Sequence, residues 1–504
     1  MAELSARPFP PGDYPVVVVG SGPGGIQASY YLRHLGIEHA VISADPVPGG
    51  MFRRFPFFQR LLSWTKPYGP VPRDDRFYYW YDWNSLLAEE PDNRALMPDL
   101  MDGTSSFPSR PEMERNLATF VERTGLRIRY DTPWESTSRD GERFVLHTPD
   151  GDYRCQVAIF AVGVAKPYKP DTPGFDLVAH YVDTRPAQTY AGKRLFIVGK
   201  ENSGFELATG LLQWAQRIVL ASPRPAKLSV NSHSLAGIRA RYVLPVEDEI
   251  LGGGVFFLNA SIARIERMGD SLRVYCVRSD TSMEIAVDAD EVIAATGFTC
   301  PLQDLQSIGV DVFGRSELPA MTNYWESATV PGIYFAGTIG QGVSGMKKYG
   351  LPANSGAVHG ARYNARTMVY HVAQKHFGVD VPQPSVLPNS LVDLLLAEAT
   401  HAPELWNQKS YLARAFSLDP SQGILDSGVV PLAQFVDEEG AAGVAIAVET
   451  DDTGDIHPAV YVRQTNKPAV ETLLSSQAMH DFRTADNRAQ LSEILRGATA
   501  GAVR

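Results

Sequence analysis

The feature that most constrains the fold of this chain is a glycine-rich turn between a predicted strand and a predicted helix. Four consecutive valines at residues 16–19 predict a fully buried parallel strand, and residues 26–35 read as a helix. The turn contains the spacing GxGxxG, whose glycines allow a tight turn, close approach of a pyrophosphate and close helix–strand packing. This context predicts a dinucleotide at the helix N-terminus. Its predicted contacts are Gly20, Ser21, Gly22, Pro23, Gly24 and Gly25.

The segment after the second predicted strand, residues 39–42, should also contact the nucleotide. An acidic residue that binds the ribose is expected at the end of this strand, but Ser43 occupies the position and Asp45 follows two residues later. A glycine pair then allows the chain to pass close over the nucleotide; a simple turn is the alternative. The predicted contacts here are Ser43, Asp45, Gly50, Met51 and Phe52.

A second glycine turn follows the predicted strand at residues 194–198. It retains the first and third glycines, but Glu201 replaces the middle one. A carboxylate beside a pyrophosphate is repulsive unless it points away. The pattern therefore predicts a second, more loosely held nucleotide, and the alternative is a relic that has lost its ligand. The predicted contacts are Gly199, Asn202, Ser203 and Gly204.

The residues after the next predicted strand indicate which nucleotide this is. Strand 217–220 leads into Ser222 and Arg224, and no ribose-binding acid follows it. An arginine there favours a 2′-phosphate, and hence NADP over NAD. The alternative for Arg224 is a solvated basic turn.

The two halves of this region repeat one plan. Residues 126–163 and 256–297 each read as a small meander that returns to a buried strand ending in glycine, Gly163 or Gly297. A third buried strand ends at Gly337, and a helix is predicted over residues 354–366. The repeat predicts an α/β fold with two nested Rossmann-like dinucleotide-binding domains.

Composition excludes several other classes of protein. The chain has 46 basic and 57 acidic residues, a net charge of −11, which argues against binding to nucleic acids or anionic membranes. Its three cysteines are widely spaced without a CxxC, so neither a disulfide framework, a metal site nor a thioredoxin-type pair is predicted. With no long apolar run and no export signal, a cytoplasmic protein that does not span a membrane is expected.

On these motifs the chain resembles the two-dinucleotide-binding-domain flavoproteins, most closely the class B flavin monooxygenases, over roughly residues 14–375. That group includes FMO-like, Baeyer–Villiger and N-hydroxylating enzymes. The resemblance implies FAD at the first turn and NADPH at the second. Ser43 and Thr338 stand where relatives have acidic residues. The further cofactor contacts that the resemblance implies are Gly163, Thr296, Gly297, Gly337 and Thr338.

The resemblance also implies a reaction. NADPH would reduce FAD, and a flavin C4a-hydroperoxide would transfer one oxygen to a nucleophilic nitrogen or sulfur of a small biosynthetic metabolite, N-hydroxylation included. The partners would be that small molecule and O₂. Two alternatives stay open: a thioredoxin-reductase-like NAD(P)H dehydrogenase or oxidase that lacks the dithiol, and a flavin-bound module without catalytic activity.

An aromatic segment, residues 52–83, is expected near the flavin. It holds 12 of the 50 aromatic residues of the chain, which suits either a wall over flavin and substrate or a loop-rich core. Trp64 is a predicted cofactor contact, and the candidate catalytic residues are Gln59, Thr65 and Lys66. Lys347 and Lys348 could meet a carboxylate or the flavin, or could simply be solvated.

The predicted domains follow from these assignments. A discontinuous FAD-binding domain covers residues 1–170 and 290–375 and encloses an NADPH-binding domain, residues 171–289. A linker, residues 376–388, leads to a small C-terminal α+β domain, residues 389–504. In this last domain, helices are predicted over residues 391–399, 403–416 and 488–495, and strands over residues 443–449 and 459–463. It could pack on the flavin domain, form a homodimer or dock a carrier protein.

Overall fold

The computed structural model of the protein describes residues 7–56, 60–231, 236–343, 354–437, 440–451 and 453–499. In chain order the strands are β1 (Gly12–Val19), β2 (His39–Ile42), β3 (Ser136–Asp140), β4 (Arg143–Thr148), β5 (Gly151–Phe160), β6 (Lys166–Pro167), β7 (Ala179–His180), β8 (Arg194–Val198), β9 (Arg217–Ser222), β10 (Ser229–Asn231), β11 (Ala236–Ile238), β12 (Val255–Met268), β13 (Ser271–Arg278), β14 (Glu284–Ala289), β15 (Glu291–Ala294), β16 (Phe298–Thr299), β17 (Val312–Phe313), β18 (Leu318–Pro319), β19 (Ile333–Phe335), β20 (Ser385–Val386), β21 (Leu412–Asp419), β22 (Gly423–Pro431), β23 (Gly443–Thr450), β24 (Ile456–Arg463) and β25 (Val470–Leu473).

The α-helices are α1 (Pro23–His34), α2 (Met97–Leu100), α3 (Arg110–Thr124), α4 (Asn202–Leu211), α5 (Ala240–Leu251), α6 (Val358–Phe377), α7 (Leu391–His401), α8 (Pro403–Asn407), α9 (Leu432–Asp437) and α10 (Ala485–Thr499). Among the described residues, none of these helices combines the length and the apolar character needed to cross a lipid bilayer.

The first sheet carries the first glycine turn. Its strand order is β2-β1-β5-β4-β3, with β19 beside β5. β1 runs parallel to both β2 and β5, and β19 runs parallel to β5. The valines of β1 are buried because side chains pack on both faces of the sheet. The carboxyl ends of β1, β2, β5 and β19 therefore meet at one edge, where ligands bind in open α/β sheets.

The second sheet repeats this arrangement around the second glycine turn. Its order is β14-β13-β12-β9-β8-β15-β7, and β8 is parallel to both β9 and β15. The predicted meanders are β3-β4-β5 in the first sheet and β12-β13-β14 in the second. The predicted fold class, an α/β fold with two nested Rossmann-like units and a C-terminal α+β part, is confirmed.

The C-terminal part is an antiparallel sheet, order β20-β22-β21-β23-β24-β25, with helices on it. The predicted strands correspond to β23 and β24, and the predicted first and last helices to α7 and α10. The prediction of one helix over residues 403–416 is wrong, because α8 ends at Asn407 and residues from Leu412 form β21. Leucine, alanine and arginine in residues 412–415 suit a helix, but pairing with β22 and β23 overrides that local preference.

Buried ion pairs and aromatic rings join the C-terminal part to the first sheet's helices. The Arg76 guanidinium pairs with Glu398 and Glu404, and Arg366 on α6 also pairs with Glu404, 2.9 Å away. The rings of Trp80 and Trp406 lie 4.2 Å apart. Of the three roles considered for this part, packing on the region of the first sheet is therefore observed in the described residues.

Candidate nucleotide-binding and active site

The first glycine turn is fixed by close backbone contacts. Gly20 has φ +113°, and a Cβ there would lie 2.6 Å from the carbonyl oxygen of Ala161 at the end of β5. A Cβ on Gly25 would lie 1.9 Å from the carbonyl oxygen of Gly20. Both positions exclude any side chain, so α1 can begin directly beside the ends of β1 and β5.

Gly22 leaves the opposite side of the turn open. It is the N-cap of α1, no side chain caps the helix there, and a Cβ would meet only the Cα of Gly50, at 3.7 Å. The free N–H groups of the first turn and the helix dipole suit a pyrophosphate. The cradle and the donors present therefore fit a dinucleotide. Pro23 is the first residue of α1, a position where its missing N–H costs nothing.

Gly24 brings a third segment to this turn. A Cβ on Gly24 would lie 2.5 Å from the backbone of Gly337, which follows β19 and has φ +83°. The next residue, Thr338, accepts a hydrogen bond from the backbone N–H of Val164, at 3.3 Å, beside Gly163. The ends of β1, β5 and β19 are thus held together at one place.

Ser43 and Asp45 lie at the end of β2, where a ribose is predicted. The Ser43 hydroxyl is buried, 2.8 Å from the Ser21 hydroxyl, and accepts a hydrogen bond from the Asp45 backbone N–H. Ser43 therefore links the glycine turn to β2. The Asp45 carboxyl is half-buried, and burial raises its pKa against the opposing effect of Arg54 and Arg53. Asp45 is thus the acidic residue near the end of β2, and its contact with a ribose stays a prediction.

The glycine pair passes over the first turn. Gly49 has φ +148° and donates its N–H to the Ser21 carbonyl, 3.1 Å away. Gly50 has φ +55°, and a Cβ there would lie 2.8 Å from the Cα of Gly22. Met51 and Phe52 continue in a short 3₁₀ helix, and the Phe52 ring lies 5.3 Å from Phe55.

The second turn has the same construction as the first. A Cβ on Gly199 would lie 2.3 Å from the Ala295 carbonyl oxygen, and one on Gly204 would lie 2.4 Å from the Gly199 carbonyl oxygen. Gly199 has φ +129°, and no side chain caps α4. The equivalence predicted from the glycine spacing thus extends to the backbone contacts.

Glu201 is the N-cap residue of α4. Its side chain is 72% exposed and lies 3.0 Å from the Arg239 guanidinium, which also donates to the Asn202 side chain at 3.1 Å. The positive charge of Arg239 would therefore offset part of the repulsion between Glu201 and a pyrophosphate. Ser203 lies in the first turn of α4, and Arg224 is exposed beyond β9.

Thr296 and Gly297 connect the two units. The Thr296 hydroxyl donates to the Tyr168 carbonyl, and the Gly297 carbonyl accepts from the Tyr168 N–H at 3.0 Å. The His180 Nε2 lies 3.2 Å from the same Gly297 carbonyl, and burial lowers the pKa of His180. These contacts hold the crossover between the two units in place.

The aromatic segment contains a stack of three rings. Trp64 stacks on Trp83 with ring centres 3.9 Å apart, and Trp83 stacks on His359 at 4.3 Å. Thr65 is buried; its hydroxyl donates to Asp82 at 2.8 Å and accepts from Asn84 at 3.0 Å. The Thr65 hydroxyl thus anchors the segment.

The other candidates in this region are placed differently. The Lys66 side chain is exposed, while its carbonyl accepts a hydrogen bond from the Tyr78 hydroxyl. Gln59, Lys347 and Lys348 lie outside the described residues. The catalytic assignments of Gln59, Thr65 and Lys66 therefore stay predictions.

Sequence reasoning missed several residues near the stack. His359 is the second residue of α6 and stacks on Trp83. Lys409 and Arg362 are buried nearby and both lower the pKa of His359. No motif marks Lys409, because its sequence neighbours Asn407, Gln408 and Ser410 are polar and give no signal that the lysine is buried.

All three cysteines are free and buried. Cys155 lies on β5, Cys276 on β13 and Cys300 beyond β16, and burial raises the pKa of each thiol to about 12. None is a reactive thiolate near neutral pH.

Two nested nucleotide-binding units with matching glycine turns define the class of two-dinucleotide-binding-domain flavoproteins. The chain belongs to the pyridine nucleotide-disulphide oxidoreductase family, whose model matches residues 74–337, just over half of the chain. This supports a flavin oxidoreductase that uses a nicotinamide nucleotide, and the predicted resemblance to class B flavin monooxygenases is confirmed for the fold.

Individual relatives are distant. The mouse "FAD-dependent oxidoreductase domain-containing protein 2" is 26% identical over 79% of this chain and 63% of that protein, so the chain spans under two thirds of that relative. A ferredoxin–NADP reductase of Thermus thermophilus is 25% identical over 64% of this chain and 84% of that protein. The structure of a flavin-containing monooxygenase from Stenotrophomonas maltophilia covers 72% of this chain and 98% of its own, with a TM-score of 0.52 and 22% identity.

Proposed function

We propose that the protein is an FAD-dependent monooxygenase that is reduced by NADPH and transfers one oxygen atom of O₂ to a nucleophilic nitrogen or sulfur of a small metabolite. The observation that carries this proposal is the state of the cysteines. All three are buried, unpaired and held as thiols, so the chain has no dithiol through which electrons could leave a flavin. A small acceptor such as O₂ is then the simplest outlet.

The residues at the first turn would bind and orient the cofactor. The N-terminus of α1 and the open face of Gly22 would hold the pyrophosphate, and Asp45 would accept hydrogen bonds from the ribose. When bound, FAD supplies hydride acceptance and oxygen chemistry. The stacked rings of Trp64, Trp83 and His359 would keep water away from the reacting atoms.

At the second turn, Arg224 would determine the choice of coenzyme. Replacing Arg224 by alanine is expected to lower kcat/KM for NADPH by about 10- to 100-fold and to leave that for NADH nearly unchanged, because a charge-assisted contact to the 2′-phosphate contributes roughly 1.5–3 kcal/mol. Steady-state oxidation of NADPH and of NADH would measure the two kcat/KM values. Arg267→Ala, at the far exposed end of β12, is the matched control. Equal losses with both coenzymes would contradict this role.

The proposed function is tested by anaerobic stopped-flow spectroscopy of the FAD-loaded protein with NADPH and with NADH, followed by mixing with O₂. A monooxygenase should be reduced faster by NADPH, and candidate amines and sulfides should then be oxygenated while the yield of hydrogen peroxide falls. Reduction by neither nucleotide would contradict the proposal and favour a module without catalytic activity.

A reductase is the second candidate, and the ferredoxin–NADP reductase of Thermus thermophilus among the relatives favours it. A reductase would also be reduced by NADPH. Its flavin would pass electrons rapidly to a one-electron acceptor such as ferricyanide, and no amine or sulfide would lower the peroxide yield. The same stopped-flow experiment therefore distinguishes a reductase from a monooxygenase.

A further inference from the structure

Two buried cations lie close to the aromatic stack without a carboxylate in contact. Lys409, between α8 and β21, is 3% exposed; its Nζ donates to the Trp406 carbonyl at 3.3 Å and lies 4.7 Å from the Trp406 ring. Arg362 on α6 is 1% exposed and donates to the carbonyls of Ser85 and Tyr79. Among the described residues, neither cation forms an ion pair, and buried charges are costly without one.

The neighbouring carboxylates make other contacts. Asp82 accepts hydrogen bonds from Thr65 and from the backbone of Asn84 and Ser85. These bonds all end on Asp82 Oδ1, and Asp82 Oδ2 is buried without a hydrogen-bond partner in the described part of the chain. Glu404, on α8, is held between Arg76 and Arg366. Among the described residues, no carboxylate forms an ion pair with Lys409 or Arg362.

His359 adds an unpartnered donor to the same place. It is 6% exposed, and within the described residues both ring nitrogens lack a hydrogen-bond partner. Its pKa is lowered to about 3 by burial and by the charges of Arg362 and Lys409, so the ring is neutral near pH 7. A neutral imidazole with both nitrogens unsatisfied can donate one N–H to a ligand.

We propose that Lys409 and His359, supported by the charge of Arg362, bind a carboxylate group of the substrate. The C-terminal part would then supply a residue that determines specificity, because the loop before β21, which carries Lys409, contacts α6: the neighbouring Gln408 amide donates to the Asn364 side chain at 2.6 Å. The inference rests on the proposed function only in identifying the ligand as the substrate. Binding of a carboxylate can be tested without turnover.

The test is calorimetric titration of the FAD-loaded protein with benzoate, a small ligand whose only charged group is its carboxylate. We expect binding that weakens at least tenfold in Lys409→Met and is kept in Lys467→Met, an exposed lysine of the same part. His359→Phe retains the stacking ring without the nitrogens and should weaken binding three- to tenfold. Thermal unfolding of each variant checks that it is folded.

The pH dependence supplies a second readout. The groups that face Lys409 are His359 and Arg362 on α6, Trp406 on α8 and His480; burial and the charge of Lys409 lower the pKa of His480. Burial also lowers the pKa of Lys409 to about 7. Benzoate affinity should therefore fall up to tenfold per pH unit above that value, and the fall should be absent in Lys409→Met.

No benzoate binding by the wild-type protein, or equal binding by Lys409→Met, would overturn the proposal. Neither result would affect the proposed monooxygenase, which depends on reduction by NADPH and oxygen transfer. Conversely, benzoate binding that needs Lys409, in a protein that NADPH does not reduce, would retain the carboxylate site and reject the proposed reaction.

Discussion

Replacing Gly22 by alanine is expected to abolish FAD binding while the protein still folds. The backbone at Gly22 has φ −76°, which alanine adopts readily, and the new Cβ would meet only the Gly50 Cα, at an ordinary 3.7 Å. The same Cβ would project into the space where the pyrophosphate approaches the α1 N-terminus. FAD affinity should fall by at least about 100-fold, or roughly 3 kcal/mol. Titration of the apoprotein with FAD would measure this.

Two further glycine variants make the test specific. Gly25→Ala would bring a Cβ within 1.9 Å of a backbone oxygen, so it should prevent correct folding rather than affect only the ligand. Gly36 has φ +72°, and a Cβ there would have no atom within 4 Å. Gly36→Ala should therefore cost about 1–2 kcal/mol of stability and leave FAD binding unchanged. If Gly22→Ala bound FAD like the wild type, the first turn would not be the cofactor site.

Local sequence patterns predicted the parts of the site that lie within one strand–turn–helix unit. These patterns are the valine run, the glycine spacing and the lack of a ribose-binding acid at Ser43, and each lies within about 25 residues of the others. The backbone contacts around Gly20 and Gly199 follow from the glycine spacing. Local sequence patterns could not predict contacts between residues that lie far apart in the sequence. Gly24 meets Gly337, and Trp83 meets His359, only because separate elements converge in the fold.

The errors have the same origin. The helix predicted over residues 354–366 begins at Val358 and continues to Phe377, because its later turns pack on α1 and the first-sheet core. Residues 412–416 became a strand because β22 and β23 pair with them. The burial of Lys409 could not be predicted for a related reason. A lysine is ordinarily exposed, and only the docking of the C-terminal part buries this one.

Replacing Glu404 by glutamine is expected to weaken the attachment of the C-terminal part to the first sheet's helices. Glu404 is buried between Arg76 and Arg366, and these guanidinium groups lower the pKa of its carboxyl to about 2 against the effect of burial. Removing the charge leaves Arg366 without the ion pair that it forms with Glu404, while Arg76 keeps its pair with Glu398. Breaking a buried pair in this way costs about 3–5 kcal/mol. Urea unfolding followed by tryptophan fluorescence would detect it, since Trp80 and Trp406 lie 4.2 Å apart at this contact.

The pH dependence has a definite sign. The folded pKa of Glu404 lies below the unfolded value of about 4.5, so its contribution to stability is full above that value and is lost as pH falls towards 2. Wild type should therefore lose stability over this window more steeply than Glu404→Gln. Asp99→Asn is the matched control, because its pair with Arg73 is exposed, 65% and 38% respectively, and should cost at most about 1 kcal/mol. Equal losses in Glu404→Gln and Asp99→Asn would mean that the buried pairs do not hold the C-terminal part in place. A separate early unfolding transition confined to the C-terminal part would show that the contact at Glu404 was broken and that the core of each part was intact. Lys409 would then move away from His359, and the glycine turns would be unchanged.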